Sequence, residues 1–322
     1  MKILSARKSY IFEEDRPFPC CHASTVLWLP SGDLLASWFG GTCEGHADVD
    51  IWISRCEGGR WSVPVRVAEE DGLPHWNPVL FQSPDGTVHL FYKVGHTIPY
   101  WHTRIIQSQD GGRTWSEPRP LVVGDVGGRG PVRNKPIVLS SGTWAAPASL
   151  EIGDWDAFVD LSEDEGETWT SSALVPLDHS QCRGKGVIQP ALWESGDGQV
   201  HMLLRSTEGY IYRSDSADSG RTWSPAVRTT VPNNNSGIDL AQLKDGTLAL
   251  VYNPVSGDGG ARTPLALALS HDNGSNWEQV LVMEDGPGEY SYPSVTVSDS
   301  TLYVTYSWNR QRIAFWEIAL SQ

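Results

Sequence analysis

A six-bladed, all-β propeller of four-stranded antiparallel blades is the fold class this sequence predicts, and three observations predict it. The first is a repeat. The octapeptide S-Q-D-G-G-R-T-W at 108–115 returns as S-E-D-E-G-E-T-W at 162–169, S-A-D-S-G-R-T-W at 216–223 and S-H-D-N-G-S-N-W at 270–277. Ser108, Ser162, Ser216 and Ser270 therefore stand 54 residues apart, and a further 54 back lies S-R-C-E-G-G-R-W at 54–61, a copy without the Asp. A period near 50 marks a propeller or a solenoid. The second observation is length: 322 residues hold about six units of this period. The third is an independent count of apolar-alternating second strands, at 34–39, 88–94, 144–150, 200–205, 248–253 and 302–308. One propeller domain over 1–322 follows.

Taken in order, residues 3–12 have strand character but precede the first unit. That unit then shows strands at 24–29, 34–39, 49–54 and 61–67, with Ser31-Gly32-Asp33 as its first turn. In each octapeptide the Ser and Asp side chains can bond the backbone of a tight turn, and Gly supplies the positive φ the turn needs. The Trp carries a large apolar face into the seam between neighbouring sheets. These repeats are structural and contribute no chemistry. The last unit ends after its third strand at 312–318, so 3–12 is expected to supply the fourth and remove the open sheet edge.

Composition narrows the partners. A net charge of −15 argues against nucleic acid, which needs a basic surface. A local Lys/Arg pocket can still hold a small anion. The N-terminus lacks the apolar core of a signal peptide, and no stretch is long and apolar enough to span a bilayer. Cys20, Cys21, Cys43, Cys56 and Cys182 are odd in number and form no C-x-x-C pair, so neither a disulfide framework nor a zinc site is expected. A reduced, cytoplasmic protein is the expectation, although a mature form that had lost a leader reads the same. No metal or other cofactor is expected, since neither a ligand spacing, a phosphate-binding Gly loop nor a G-x-S-x-G element occurs.

A second repeat carries the chemistry. Asn77-Pro78, Lys135-Pro136, Gln189-Pro190 and Tyr292-Pro293 each stand where an apolar first strand begins, and His22 and Asp239 fall near the same place in the other two units. Pro suits the first residue of a strand. Innermost strands line a propeller's axis, so this ring converges on one mouth of the channel. Packing would select similar apolar residues there; six different polar groups point to a site. Arg205 and Arg310 lie at second-strand ends, facing the same mouth, and His75 and Lys93 lie close to the ring.

The repeated S-x-D-x-G-x-T-W resembles the Asp box of sialidases, and essentially the whole chain resembles the BNR-repeat, sialidase-like propellers. Further matching segments are W-F-G-G-T-C-E-G-H-A-D-V-D-I-W at 38–52, W-N-P-V-L-F at 76–81, N-K-P-I-V-L at 134–139, P-N-N-N-S-G-I-D at 232–239 and E-Y-S-Y-P-S-V at 289–295. Sialidases are retaining glycosidases with a Tyr nucleophile, an acidic partner for it, an Asp acid/base and three Arg on the substrate carboxylate. A neutral nucleophile avoids repulsion from that carboxylate. The resemblance implies Tyr292 as nucleophile, Asp239 or Glu289 as acceptor of its proton, and Asp48 as acid/base with Glu44 as a second candidate. The Arg triad departs from the family pattern. His22 stands where the first Arg opens an R-I-P segment, and Asn253 stands where another lies. Arg205, Arg262, Arg310 and Lys135 remain as cations for a carboxylate, with Asn77, Gln189, Asn253, Lys93 and His75 as further candidate contacts.

Three functions compete at this point. The first is a sialidase-like exo-glycosidase that removes a terminal acidic sugar from an oligosaccharide or glycoconjugate. The second is a lyase on uronic-acid glycans, in which a cation neutralises the carboxylate and His22 or Tyr292 removes the C5 proton. The third is a non-catalytic glycan-binding propeller, against which stands the density of titratable groups in the ring. Oligomeric state is open.

Overall fold

Alternating runs cut by Gly, Asp and Asn turns build short antiparallel strands. A computed structural model describes residues 1–13, 16–125 and 127–321, and it is a six-bladed β-propeller. Blade 1 comprises Cys20–Trp28, Leu34–Gly41 and Asp50–Glu57. Its outer place, expected as one strand at 61–67, is taken by two short segments, Arg60–Trp61 and Val65–Ala68, both paired with Asp50–Glu57. Blade 2 comprises His75–Gln82, Val88–Val94, His102–Ser108 and Arg119–Pro120, and blade 3 comprises Ile137–Val138, Trp144–Leu150, Asp156–Ser162 and Thr170–Ser171. Blade 4 is built from Val187–Glu194, Val200–Ser206, Tyr210–Ser216 and Val227–Pro232, and blade 5 from Asp239–Gln242, Leu248–Tyr252, Leu265–Ser270 and Glu278–Glu284.

Blade 6 closes the ring as expected. Tyr290–Ser298, Thr301–Trp308 and Arg312–Leu320 are joined by Ile3–Tyr10, which runs antiparallel to Arg312–Leu320 with Tyr10 opposite Ala314 and Ile3 opposite Leu320. The two termini thereby share one sheet, and the last strand does not present a free edge.

The octapeptides act as the sequence implies. Ser108 Oγ donates to Asp110 at 2.7 Å and accepts from the Gly112 amide at 2.7 Å, while the Thr114 amide and hydroxyl donate to the same carboxylate at 2.9 and 2.6 Å. The Trp of each copy enters the seam with the preceding blade. Trp115 packs on the core shared by blades 1 and 2, Trp169 on that of blades 2 and 3, Trp223 on blades 3 and 4, and Trp277 on blades 4 and 5. Each such burial is worth about 4 kcal/mol.

The proline ring differs from expectation in one respect that shapes the site. In blades 2, 4 and 6 the X-Pro pairs lie inside the inner strand, at register shifts between Trp76 and Val79, Ile188 and Ala191, and Ser291 and Ser294. They are β-bulges, where a missing N–H costs nothing to the ladder. The residue before each Pro is left-handed, with φ of 32° at Asn77, 54° at Gln189 and 55° at Tyr292. Blade 1 has the same bulge between His22 and Thr25, and there the left-handed residue is Ala23, φ 56°. His22 therefore corresponds to Trp76, Ile188 and Ser291, one place before the ring position.

Candidate active site

The bulge re-aims one side chain per blade, and in blade 6 that side chain is Tyr292. It is half-buried and is met by residues from four other blades or the loops leading into them. The His22 ring lies 4.3 Å away, centroid to centroid, and the guanidinium carbons of Arg133, Arg262 and Arg205 lie 5.2, 5.4 and 5.7 Å from the ring centroid. The phenol oxygen accepts a hydrogen bond from Arg205 Nη1 at 2.8 Å. Arg205 ends the second strand of blade 4. It also donates to Gln189 Oε1 at 3.0 Å and to Asn235 Oδ1 at 2.7 Å.

The carboxylates expected to serve Tyr292 are engaged elsewhere. Asp239 is buried and receives Lys135 Nζ on both oxygens at 2.9 Å, with the Leu240 and Val295 amides at 2.9 and 2.8 Å. That pairing removes Asp239 as acceptor of the Tyr292 proton, and it removes Lys135 as a free clamp for substrate. Glu289 accepts from Arg262 at 2.8 Å and from Arg310 at 2.9 Å, so it organises two cations and makes no bond to Tyr292. Glu44 reaches Arg310 from the loop of blade 1. Asp48 is exposed and bound within its own loop, accepting from the Thr42 amide at 3.1 Å and hydroxyl at 2.6 Å and meeting His46 at 2.7 Å. Those bonds hold its carboxyl below the usual range, the Thr42 hydroxyl first among them, which does not suit a proton donor.

His22 lies behind Tyr292 and out of solvent. Its Nδ1 is 2.8 Å from Ser307 Oγ, and its Nε2 is buried without a partner. Burial, then the surrounding arginines led by Arg310, keeps the imidazole neutral, with its pKa well below the ordinary value. Its ring packs against that of the tyrosine. Three further candidates are held by bonds within the protein. His75 Nδ1 lies 2.9 Å from the Leu73 carbonyl and its ring stacks on Tyr92. The Asn253 amide donates to the Pro264 and Tyr290 carbonyls at 2.8 and 3.0 Å, tying blade 5 to blade 6. Lys93 is fully buried and donates to the Arg129 carbonyl at 2.6 Å, with its pKa pushed down to about 8 by burial. Asn77 is buried at the bulge of blade 2, and Gln189 joins Arg205 to Glu151.

Arg133 and Glu151 escaped the sequence reading. Arg133 is fully buried beneath Tyr292 and donates to the Pro293 carbonyl at 2.6 Å, bracing the bulge; burial pushes its pKa down to about 10. It stands two residues before Lys135-Pro136, which was a usable signal. Glu151 follows the second strand of blade 3, near the place that Arg205 holds in blade 4. Arg133 and Arg205 form no ion pair among the described residues. Three guanidinium groups thus lie against one phenol at the mouth of an acidic protein, and two of them, Arg133 and Arg205, have no direct ion pair among the described residues.

Comparison with known proteins bears on the fold and the family. A sialidase from Clostridium perfringens is 25% identical over 251 residues, covering 63% of this chain and 62% of that protein, and a sialidase from Paraclostridium sordellii is 24% identical over 63% and 58%. The chain therefore spans about three fifths of the length of those relatives. Among solved structures, the Hadza microbial sialidase Hz136 superposes with a TM-score of 0.81 at 18% identity, over 97% of this chain and 68% of that one. A protein of unknown function from Dyadobacter fermentans superposes at 0.79 with 16% identity, over 99% and 100%. The model of the BNR repeat-like domain matches residues 32–304, and with the six-fold repeat and closed ring of blades this chain belongs to that family, the sialidase-like BNR propellers.

Proposed function

We propose that this chain is a glycoside hydrolase of sialidase type that releases a terminal acidic sugar from a glycan or glycoconjugate, with Tyr292 as nucleophile. The observation that carries the reading is the half-buried Tyr292 on the axis, its hydroxyl accepting from Arg205 while Arg133 and Arg262 lie against its ring. Cations so arranged stabilise negative charge on the phenol oxygen and bind a substrate carboxylate beside it. Arg205 and the Glu289-held pair Arg262 and Arg310 are the carboxylate contacts. The sialidase relatives add weight to an acidic glycan as the partner.

β-Elimination on a uronic-acid glycan is the second reading. The observation favouring it is that among the described residues no carboxylate is hydrogen-bonded to Tyr292, whose oxygen accepts from Arg205 and can take a proton from substrate carbon once its own is lost to solvent. Both routes are tested by incubating the chain with sialosides, other keto-acid glycosides and glycosyl-glucuronates while following reducing sugar and ultraviolet absorbance together. Hydrolysis releases sugar with no new absorbance; an unsaturated, absorbing product replaces hydrolysis by elimination. Tyr292→Phe is expected to lower kcat/KM by at least about 100-fold in either case. Glycan binding without turnover by the wild type overturns both.

A further inference from the structure

Glu151 is half-buried at the end of the second strand of blade 3, Trp144–Leu150. Its Oε1 accepts from Gln189 Nε2 at 3.4 Å and from the Ser149 hydroxyl at 3.5 Å. Gln189 Oε1 in turn accepts from Arg205 Nη1 at 3.0 Å, and the same nitrogen donates to the Tyr292 hydroxyl at 2.8 Å. A carboxyl on blade 3 and a phenol on blade 6 thus terminate one chain of three hydrogen bonds. The other acids near the mouth are committed: Asp239 to Lys135, Glu289 to Arg262 and Arg310, Glu44 to Arg310, and Asp48 to its own loop. Glu151 has no ion-pair partner among the described residues; its direct partners are a neutral amide and a neutral hydroxyl. It also lines a cleft of about 250 Å³ with Pro99, Tyr100, Trp101, Leu150 and Ile152.

We propose that Glu151 is the proton donor of this site, protonating the glycosidic oxygen as it leaves, with the departing unit seated in the cleft against Tyr100 and Trp101. The assignment rests on the enzymatic reading above and holds for either of its routes. Burial raises the Glu151 carboxyl, against the opposing pull of Arg205 and Lys93, the charged groups that face it from blades 4 and 2, and of its bonds to Gln189 and Ser149. A carboxyl raised in this way holds its proton to higher pH than an ordinary glutamate, the direction a general acid needs.

In hydrolysis, the Tyr292 hydroxyl gives its proton to solvent water as its oxygen forms a bond to the anomeric carbon. The bond from that carbon to the leaving oxygen breaks, and the freed electron pair takes the Glu151 proton. The Glu151 carboxylate then takes a proton from water, whose oxygen displaces the Tyr292 oxygen, and that oxygen regains its proton from solvent. In elimination, Tyr292, its own proton given to solvent, takes the C5 proton, a C4–C5 double bond forms, and the C4–O electron pair takes the Glu151 proton, which solvent then restores.

The test compares wild type, Glu151→Gln and Glu151→Asp on a methyl and a 4-nitrophenyl glycoside of the acidic sugar turned over in the panel above or, where the product is unsaturated, on the uronate carrying methoxyl or 4-nitrophenoxyl at C4. A nitrophenolate leaves without protonation; a methoxide does not. Glu151→Gln is expected to lose about 10²–10⁴-fold in kcat/KM on the methyl glycoside and less than about tenfold on the aryl one. Glu151→Asp, which keeps a carboxyl, should fall between wild type and Glu151→Gln on the methyl glycoside. The fall in kcat/KM at alkaline pH that the wild type shows on the methyl glycoside should be absent from the residual activity of Glu151→Gln on that substrate, a change that a merely structural residue would not produce. Equal losses on both leaving groups, or no loss on either, with a wild-type melting curve, overturn the assignment of Glu151 while leaving the enzyme standing. A wild type that turns over neither leaving group's substrate, as glycoside or as C4 ether, overturns the enzymatic reading and this assignment together.

Discussion

Lys135 shows how one contact changes a residue's meaning. It stands in the polar ring, and by composition it is a free cation at a mouth that should hold an anion. In the folded chain its ammonium donates to both Asp239 oxygens and to the Leu240 carbonyl at 2.8 Å. Replacing it with Met would leave a buried carboxylate without its counter-ion, and the expected cost is about 3 kcal/mol, read as a lower urea midpoint. Arg205 is the opposite case. It was legible as a strand-end cation, and it donates a hydrogen bond to the tyrosine hydroxyl, so Arg205→Lys should weaken turnover while leaving stability nearly unchanged. The planar fork that reaches Gln189, Asn235 and Tyr292 together is lost with Lys.

At the scale of the element, the octapeptide turn and the inner-strand bulge were unequally readable. The turn is local: every bond from Asp110 to Thr114 lies within five residues, so its residue types declare it. Gly166, in an octapeptide turn, and Gly142, in the turn between Ile137–Val138 and Trp144–Leu150, separate the two costs of a side chain at positive φ. Both have positive φ, 88° and 87°, but a Cβ on Gly166 would meet Trp144 at 2.7 Å whereas one on Gly142 meets nothing within 4 Å. Gly142→Ala should cost about 1 kcal/mol from backbone strain, and Gly166→Ala should cost roughly 1–3 kcal/mol more through the clash, compared by thermal melts. The bulge was half-legible. X-Pro marked the place, but nothing in the sequence said that Pro would lie inside the strand, or that Ala23 rather than His22 would be the blade 1 counterpart.

The whole molecule is held by closure and limited by its buried histidines. Removing residues 1–10 would strip the outer strand from blade 6 and expose the backbone of Arg312–Leu320 as a free edge. The expected result is concentration-dependent association, visible by light scattering, together with a lower melting temperature. His22, His75, His89 and His102 all have pKa values lowered by burial, His89 to about 4. Below about pH 6.5 the unfolded chain binds protons that the folded chain refuses. This stability is complete above that pH and is lost as pH falls toward 4. His89 alone accounts for roughly 3 kcal/mol of it, so His89→Gln should flatten the fall in the urea midpoint between pH 7 and 4.

The sequence by itself determined the number of blades, the seams filled by Trp, the strand that closes the ring, and the segments that meet at the mouth. Those follow from patterns of period two and period 54, which are properties of neighbours along the chain. Tertiary structure alone decided which acid answers which base. Lys135 meets Asp239 across 104 residues, Arg205 meets Tyr292 across 87 and Arg310 meets Glu44 across 266, and such pairings depend on distances of a few ångströms that no local pattern encodes. Asp239 and Glu289 were credible partners for Tyr292 until the cations beside them were in place. Glu151 emerged only when burial and the lack of a counter-ion were known, because a carboxyl's protonation is set by its surroundings and not by its place in the chain.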